Sequence, residues 1–154
     1  MDDLVQLEQW AGPLLAKLAP AQRGQLARSI ALDLRRSQQR RIAAQLAPDG
    51  TPYAARKRQA ETLREKRGAI RRRKDAMFAK LRTARWLKTN VTQEGAEVGF
   101  LGRVARLARV HQEGGMDRVA PDGPMATYPA RPLLGFTSTD RARVRDRVVQ
   151  FLHG

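Results

Sequence analysis

RWLKTNVTQEGAEVGFLG runs from Arg85 to Gly102, and its pattern decides the fold class. Leu87 and Val91 alternate with polar residues, and so do Ala96, Val98 and Phe100. Alternation places one set of side chains on one face of an extended strand, so each run reads as a half-buried strand. Gln93-Glu94-Gly95 lies between them and supplies the turn. The stretch is therefore predicted to be an antiparallel β-hairpin.

Downstream, GRVARLARVHQEGG (102–115) changes period. Val104, Leu107, Ala108 and His111 share one helical face, and Gly114-Gly115 stops the helix. Residues 116–127 hold Pro121, Gly123 and Pro124 and read as a loop. TYPARPLLGF (127–136) is extended but broken by prolines, so any strand in it is short and at an edge. Thr137 and Asp140 have the spacing of a capping box for a last helix, with Val144, Val148, Phe151 and Leu152 as its apolar stripe.

Upstream, Leu4, Leu7, Trp10 or Ala11, Leu14 and Leu18 recur at helical spacing, and Gly12-Pro13 is expected to kink or split that helix. Pro20 opens a second helix, which carries Leu26, Ile30, Leu34, Ile42 and Leu46 and is about 39 Å long if it continues to Leu46. Pro48, Asp49 and Gly50 end it, and Pro52 and Tyr53 follow; these five form a rigid joint that is expected to aim the chain away from the core. Residues 76–83 read as a short helical turn. The predicted architecture is α+β, with a small antiparallel sheet, packed helices and a long N-terminal helical hairpin. Residues 1–55 make the hairpin, 56–75 a basic arm and 76–154 the α+β core, in one compact domain overall.

Composition bounds the function. The chain has 154 residues, 42% hydrophobic and 5% aromatic, so its core is mainly aliphatic. It has no cysteine, which excludes disulfides and thiolate metal sites. No apolar run reaches the roughly 18 residues of a membrane helix, and Met1-Asp2-Asp3 is acidic where a secretory signal is basic. A soluble intracellular protein without a membrane partner is expected. Its histidines are His111 and His153, too few for a metal site, and no phosphate-binding glycine loop is present. His111, near a helix C-terminus where an imidazolium is favoured, reads as a capping or packing residue. No enzyme, metal or cofactor is expected.

The formal net charge is +15. Between positions 56 and 74, ten basic residues (Arg56, Lys57, Arg58, Arg64, Lys66, Arg67, Arg71, Arg72, Arg73 and Lys74) face two acids, Glu61 and Glu65, a local excess of +8. Such a run fits a solvated surface, an acidic protein partner or non-specific contact with genome DNA. It carries no aromatic pair for stacking bases and no zinc-finger spacing.

Four stretches, taken in order, carry a resemblance: QRRIAAQLAPDGTPYAARKR (39–58), KDAMFAKLRTARWLK (74–88), VGFLGRVARLARVHQEGG (98–115) and YPARPLLGFTSTDRARVRD (128–146). Together they resemble the virion morphogenesis, or tail completion, proteins of contractile-tailed bacteriophages, over essentially the whole chain. The resemblance implies a structural neck protein, made in the bacterial host cytoplasm and built into the virion neck or tail. It implies a ring of identical subunits, with six as the expected number, at the head-proximal end of the tail, and a role in head–tail joining. Other neck, tail terminator, tail tube or connector proteins are the implied partners. It makes His111, Gly114, Gly115, Arg131, Pro132, Leu134 and Phe136 candidates for core or subunit packing. The alternative reading is a basic nucleic-acid-binding or packaging accessory protein.

Overall fold

The computed structural model describes residues 3–56, 76–93 and 95–154. Among them, four helices and two hairpins appear in the order α1 (Asp3–Ala16), α2 (Pro20–Ala43), β1 (Leu87–Val91), β2 (Ala96–Phe100), α3 (Arg103–Glu113), β3 (Gly115–Arg118), β4 (Met125–Tyr128) and α4 (Ser138–His153). The architecture is α+β, and its strands form two separate two-stranded antiparallel sheets, β1–β2 and β3–β4.

These residues group into two compact units, each assembled from distant parts of the chain. Unit 1 comprises Met1–Ser37, Lys88–Gly99 and Phe136–Gly154. Its buried cluster is Ala11, Leu26 and Val148, with Leu7, Leu15, Ile30, Phe151 and Leu152 packed around it. Ala11 takes the inward position and Trp10 is exposed, which resolves the ambiguity at that turn of α1. α1 runs through Pro13 without a break, contrary to expectation. The proline removes one bond to the Gln9 carbonyl, a small loss at an exposed residue that solvent reaches. α4 begins as its sequence predicts: the Asp140 amide donates to Thr137 Oγ1 at 3.0 Å, and the Thr137 amide donates to Asp140 Oδ2 at 3.1 Å. Ser37 Oγ also donates to Asp140, which is only 1% exposed, so a capping residue joins α4 to α2. Arg147 adds a second link, donating through Nη2 to Asp33 Oδ2 at 2.5 Å.

Unit 2 comprises Gln38–Leu87 and Phe100–Gly135. Its buried cluster is Ile42, Ala47, Tyr53, Leu81, Ala108 and Leu133, with Met77, Phe78, Trp86, Phe100 and Val104 against it. Three sequence expectations change here. Residues 116–127 are not a loop; they hold most of the β3–β4 hairpin, paired Gly115↔Tyr128, Met116↔Thr127, Asp117↔Ala126 and Arg118↔Met125. Its strands are four residues each, too short for alternation to register, and Pro124 lies just before β4, outside the ladder. Leu107 is not on the buried face of α3 but 46% exposed, while Ala108 is buried. Residues 76–83 form a run of hydrogen-bonded turns, with Phe78 at φ 67°, in place of one helical turn.

Candidate assembly site

Residues 128–135 cross unit 2 as a strap that belongs to neither sheet from Pro129 onward. Pro129 and Pro132 lack an N–H, so a ladder cannot hold this segment, yet its carbonyls are largely enclosed and need donors. Long polar side chains supply them. Gln38 Nε2 donates to the Gly135 carbonyl at 2.8 Å, and Arg41 Nη2 donates to the Leu133 carbonyl at 2.7 Å. Tyr53 Oη donates to the Pro132 carbonyl at 2.9 Å. Gln112 serves both polarities: its Oε1 accepts from the amides of Leu133 and Leu134 at 2.8 Å each, and its Nε2 donates to the Leu134 carbonyl at 2.9 Å. Leu133 is thereby held with its side chain fully buried.

The joint behind the strap turns the chain back on itself. α2 stops at Ala43, earlier than its apolar pattern suggests, because Gln45 adopts φ 60° and leaves the helical path. Leu46 and Pro52 then form an isolated antiparallel bridge, and the Ala47 amide donates to the Thr51 carbonyl at 2.8 Å. Asp49 Oδ1 accepts from both the amide and the hydroxyl of Thr51, at 2.9 and 2.6 Å, and these bonds hold its carboxyl below the ordinary carboxylate range. Gly50, at φ 86°, completes the turn. Tyr53, the last residue of the joint, is 8% exposed and part of the buried cluster; Ala54, Ala55 and Arg56 after it are exposed, and where the joint aims the chain from position 57 onward lies outside the described residues.

Two side chains then fix the base of the basic segment. Arg131, 5% exposed, donates through Nε to the Ala54 carbonyl at 2.7 Å and through Nη2 to the Ala55 carbonyl at 3.0 Å. Gln45 holds the returning chain: its Oε1 accepts from the Met77 amide at 2.8 Å and its Nε2 donates to the Met77 carbonyl at 2.9 Å. The Gln45 carbonyl also accepts from the Tyr53 amide at 2.8 Å. One residue thus ties the chain just before Arg56 to the chain just after position 75.

Arg41 and Arg131 are buried cations that donate to main-chain carbonyls and, from Arg41, to the Gln38 amide oxygen. Burial lowers the Arg131 pKa, and the nearby Arg56 charge adds to that. Burial raises the Tyr53 phenol, partly opposed by Arg41. His111 stands edge-on between Phe78 and Tyr128, at ring-centroid distances of 4.8 and 5.3 Å. Burial, then Arg131, lowers its pKa, so its neutral form is favoured and the helix-end imidazolium suggested by sequence is not. Its main-chain carbonyl accepts from the Arg131 amide at 2.6 Å. Gly114, at φ 73°, follows; a Cβ there would lie 2.9 Å from the Ala130 amide nitrogen, so only glycine fits beside the strap.

The structure thus brings together Pro48, Asp49, Gly50, Pro52, Tyr53, His111, Gly114, Arg131 and Pro132 in unit 2. Gly115 opens β3. Leu134 is half-buried, and Leu133 holds the core position. Phe136 is 47% exposed and lines a groove of about 830 Å³ in unit 1, together with Leu15, Leu26, Ile30, Val91 and Val148. Arg56 is described and exposed, whereas Lys57, Arg58, Arg64, Lys66, Arg67, Arg71, Arg72, Arg73 and Lys74 lie outside the described residues. Sequence reasoning missed Gln38, Gln45 and Gln112 as clamps, because side-chain bonds to a distant backbone leave no period to read. Among the described residues, no three His, Asp or Glu side chains converge as a metal site, and no helix is long and apolar enough to cross a membrane.

A profile of the phage virion morphogenesis family matches residues 2–153. The chain is 40% identical over 153 residues to tail completion protein S of Escherichia phage P2, covering 99% of both chains. No solved structure gives a significant match.

Proposed function

The chain belongs to the phage virion morphogenesis family, and from this we propose that it is a structural tail completion protein acting where a finished tail meets a DNA-filled head. The observation that carries the reading is the 40% identity to tail completion protein S across 99% of both chains. The protein acts as a closed ring of identical subunits, six by expectation, at the head-proximal end of the tail. Its neighbours are other tail or neck proteins.

The arm from Arg56 to Lys74 is the contact element, with acidic protein surfaces as first partner and genome DNA as second. What supports this is its +8 excess and its fixed base, where Gln45 and Arg131 hold the chain on either side. Imaging of intact particles tests the proposal. One symmetric layer of this protein at the head-proximal end of the tail is expected; a single copy, or a position at the baseplate, overturns it.

The high charge favours one competing reading, a nucleic-acid-binding packaging accessory. Affinity for DNA through this arm would fall steeply with salt as counterions are released, whereas incorporation through apolar and backbone contacts would not.

A further inference from the structure

α2 carries six arginines and one acid, Asp33. Three of the arginines are engaged within the fold. Arg41 is buried against the strap, Arg35 has its Nε enclosed, and Arg23 lines the groove of unit 1. Asp33 is held by Arg147. Arg28, Arg36 and Arg40 remain, and all three are exposed. None of them makes an ion pair among the described residues.

The helix sets these three side by side. At 3.6 residues per turn, positions 25, 28, 32, 36, 39, 40 and 43 fall within about 120° of one another. None of those side chains is buried, whereas Ala31, Gln38 and Arg41, on the opposite side of the helix, are. The outer face thus holds three arginines with Gln25, Leu32 and Gln39 among them, and no acid. From Arg28 to Arg40 the row is about 18 Å long. Arg36 and Arg40 are four residues apart, a spacing at which like charges repel and weaken a helix.

A helix face that meets only water mixes charges of both signs, and this one carries a single sign. A protein partner would find no aromatic anchor on it; its large apolar residue is Leu32, 38% exposed. Arginine and glutamine are donors suited to phosphate oxygens. Duplex DNA presents one charge per roughly 1.7 Å of its axis, so a row of this length faces about five base pairs. We propose that the outer face of α2 lies along the phosphate backbone of duplex DNA, with Arg28, Arg36 and Arg40 each pairing with a phosphate and Gln25 and Gln39 donating beside them. Contacts confined to phosphates carry no sequence information, so the binding is independent of sequence. The inference rests on the reading above in placing the protein where a tail meets a DNA-filled head, and it puts a DNA contact on a folded helix, apart from the Arg56–Lys74 run.

The test titrates a labelled DNA duplex of mixed sequence with the purified full-length protein over a range of salt concentrations. Arg28→Gln, Arg36→Gln and Arg40→Gln together are expected to weaken binding at least about tenfold and to lower the slope of log affinity against log salt by about 2 to 3, the release of about 0.9 counterion for each lost phosphate contact. Lysine at the same three positions keeps the charge and is expected to stay within about threefold of native affinity. Removal of equal charge elsewhere, by Arg103→Gln, Arg109→Gln and Arg145→Gln, is expected to lower the slope by less than about 1. Native protein that does not bind the duplex, an α2 triple variant that binds like native, or a control triple that loses as much overturns the inference; so does a lysine variant as weak as the glutamine one. In native protein, free of any folding effect of a substitution, the Nε–H resonances of Arg28, Arg36 and Arg40 are expected to shift on adding duplex, and resonances that stay in place overturn the inference. An α2 triple variant that loses infectious titre but binds duplex like native makes the face a protein contact and overturns it too. The joining role is judged separately, by the lysate of a phage lacking the gene, so the duplex titration decides on α2 whichever way that role falls.

Discussion

Leu133, not its neighbours in the same apolar string, carries the packing of the strap. Its side chain is fully buried, while Phe136 is 47% exposed. Leu133→Ala should therefore cost about 2–5 kcal/mol in urea unfolding, and Phe136→Ser less than about 1 kcal/mol. Equal losses would mean that Phe136 is buried within the folded chain. Sequence alone could not tell 133 from 134. With Pro129 and Pro132 excluding a ladder, the parity of the strap is set by Arg41 and Gln112, from remote parts of the chain. His111 gives a second test at this scale. Its folded pKa is depressed by burial and by Arg131, so the unfolded chain binds the proton more readily. Stability from this group is then complete above the ordinary histidine value of about 6.5 and is lost as pH falls below it. The expected observation is a melting temperature that drops between pH 7.5 and 5.5, and drops less in His111→Phe.

Among the elements, α4 is the one best announced by its residues, because a capping box is local: Thr137 and Asp140 need only each other. The sequence did not announce that Asp140 also accepts from Ser37, more than a hundred positions away. Asp140→Ala should thus lose more than a cap, about 1–3 kcal/mol, and Ser37→Ala a smaller part of it, both read by urea unfolding. A loss of only a few tenths for Asp140→Ala would reduce it to a surface cap. The first hairpin was legible for the same local reason, its apolar residues alternating on either side of a glycine turn. The β3–β4 hairpin was not: its outer face carries methionines where a solvated strand carries polar residues, and its strands are four residues each.

For the whole molecule, the family and the mixed α+β architecture were both readable, from the order of short uncommon strings and from the change of period along the chain. The grouping of separated segments into the two buried clusters was not, since apolar residues do not name their partners. The joint Pro48–Tyr53 reads as an exit from a helix, but the bonds by which Gln45 holds Met77 and Arg131 holds the Ala54 carbonyl are ones no local pattern encodes. This bears on the arm: unit 2's buried cluster uses residues on both sides of it. Charge reversal at Arg71, Arg72, Arg73 and Lys74 is expected to leave the melting temperature within about 2 °C of native while reducing head–tail joining at least about tenfold. A large fall in melting temperature with joining intact would make the segment part of the fold.

The most direct test of tail completion is electron microscopy of a lysate from phage lacking this gene. The account predicts DNA-filled heads beside free, unjoined tails. Empty or absent heads with normal tails would contradict it and move the protein to genome packaging.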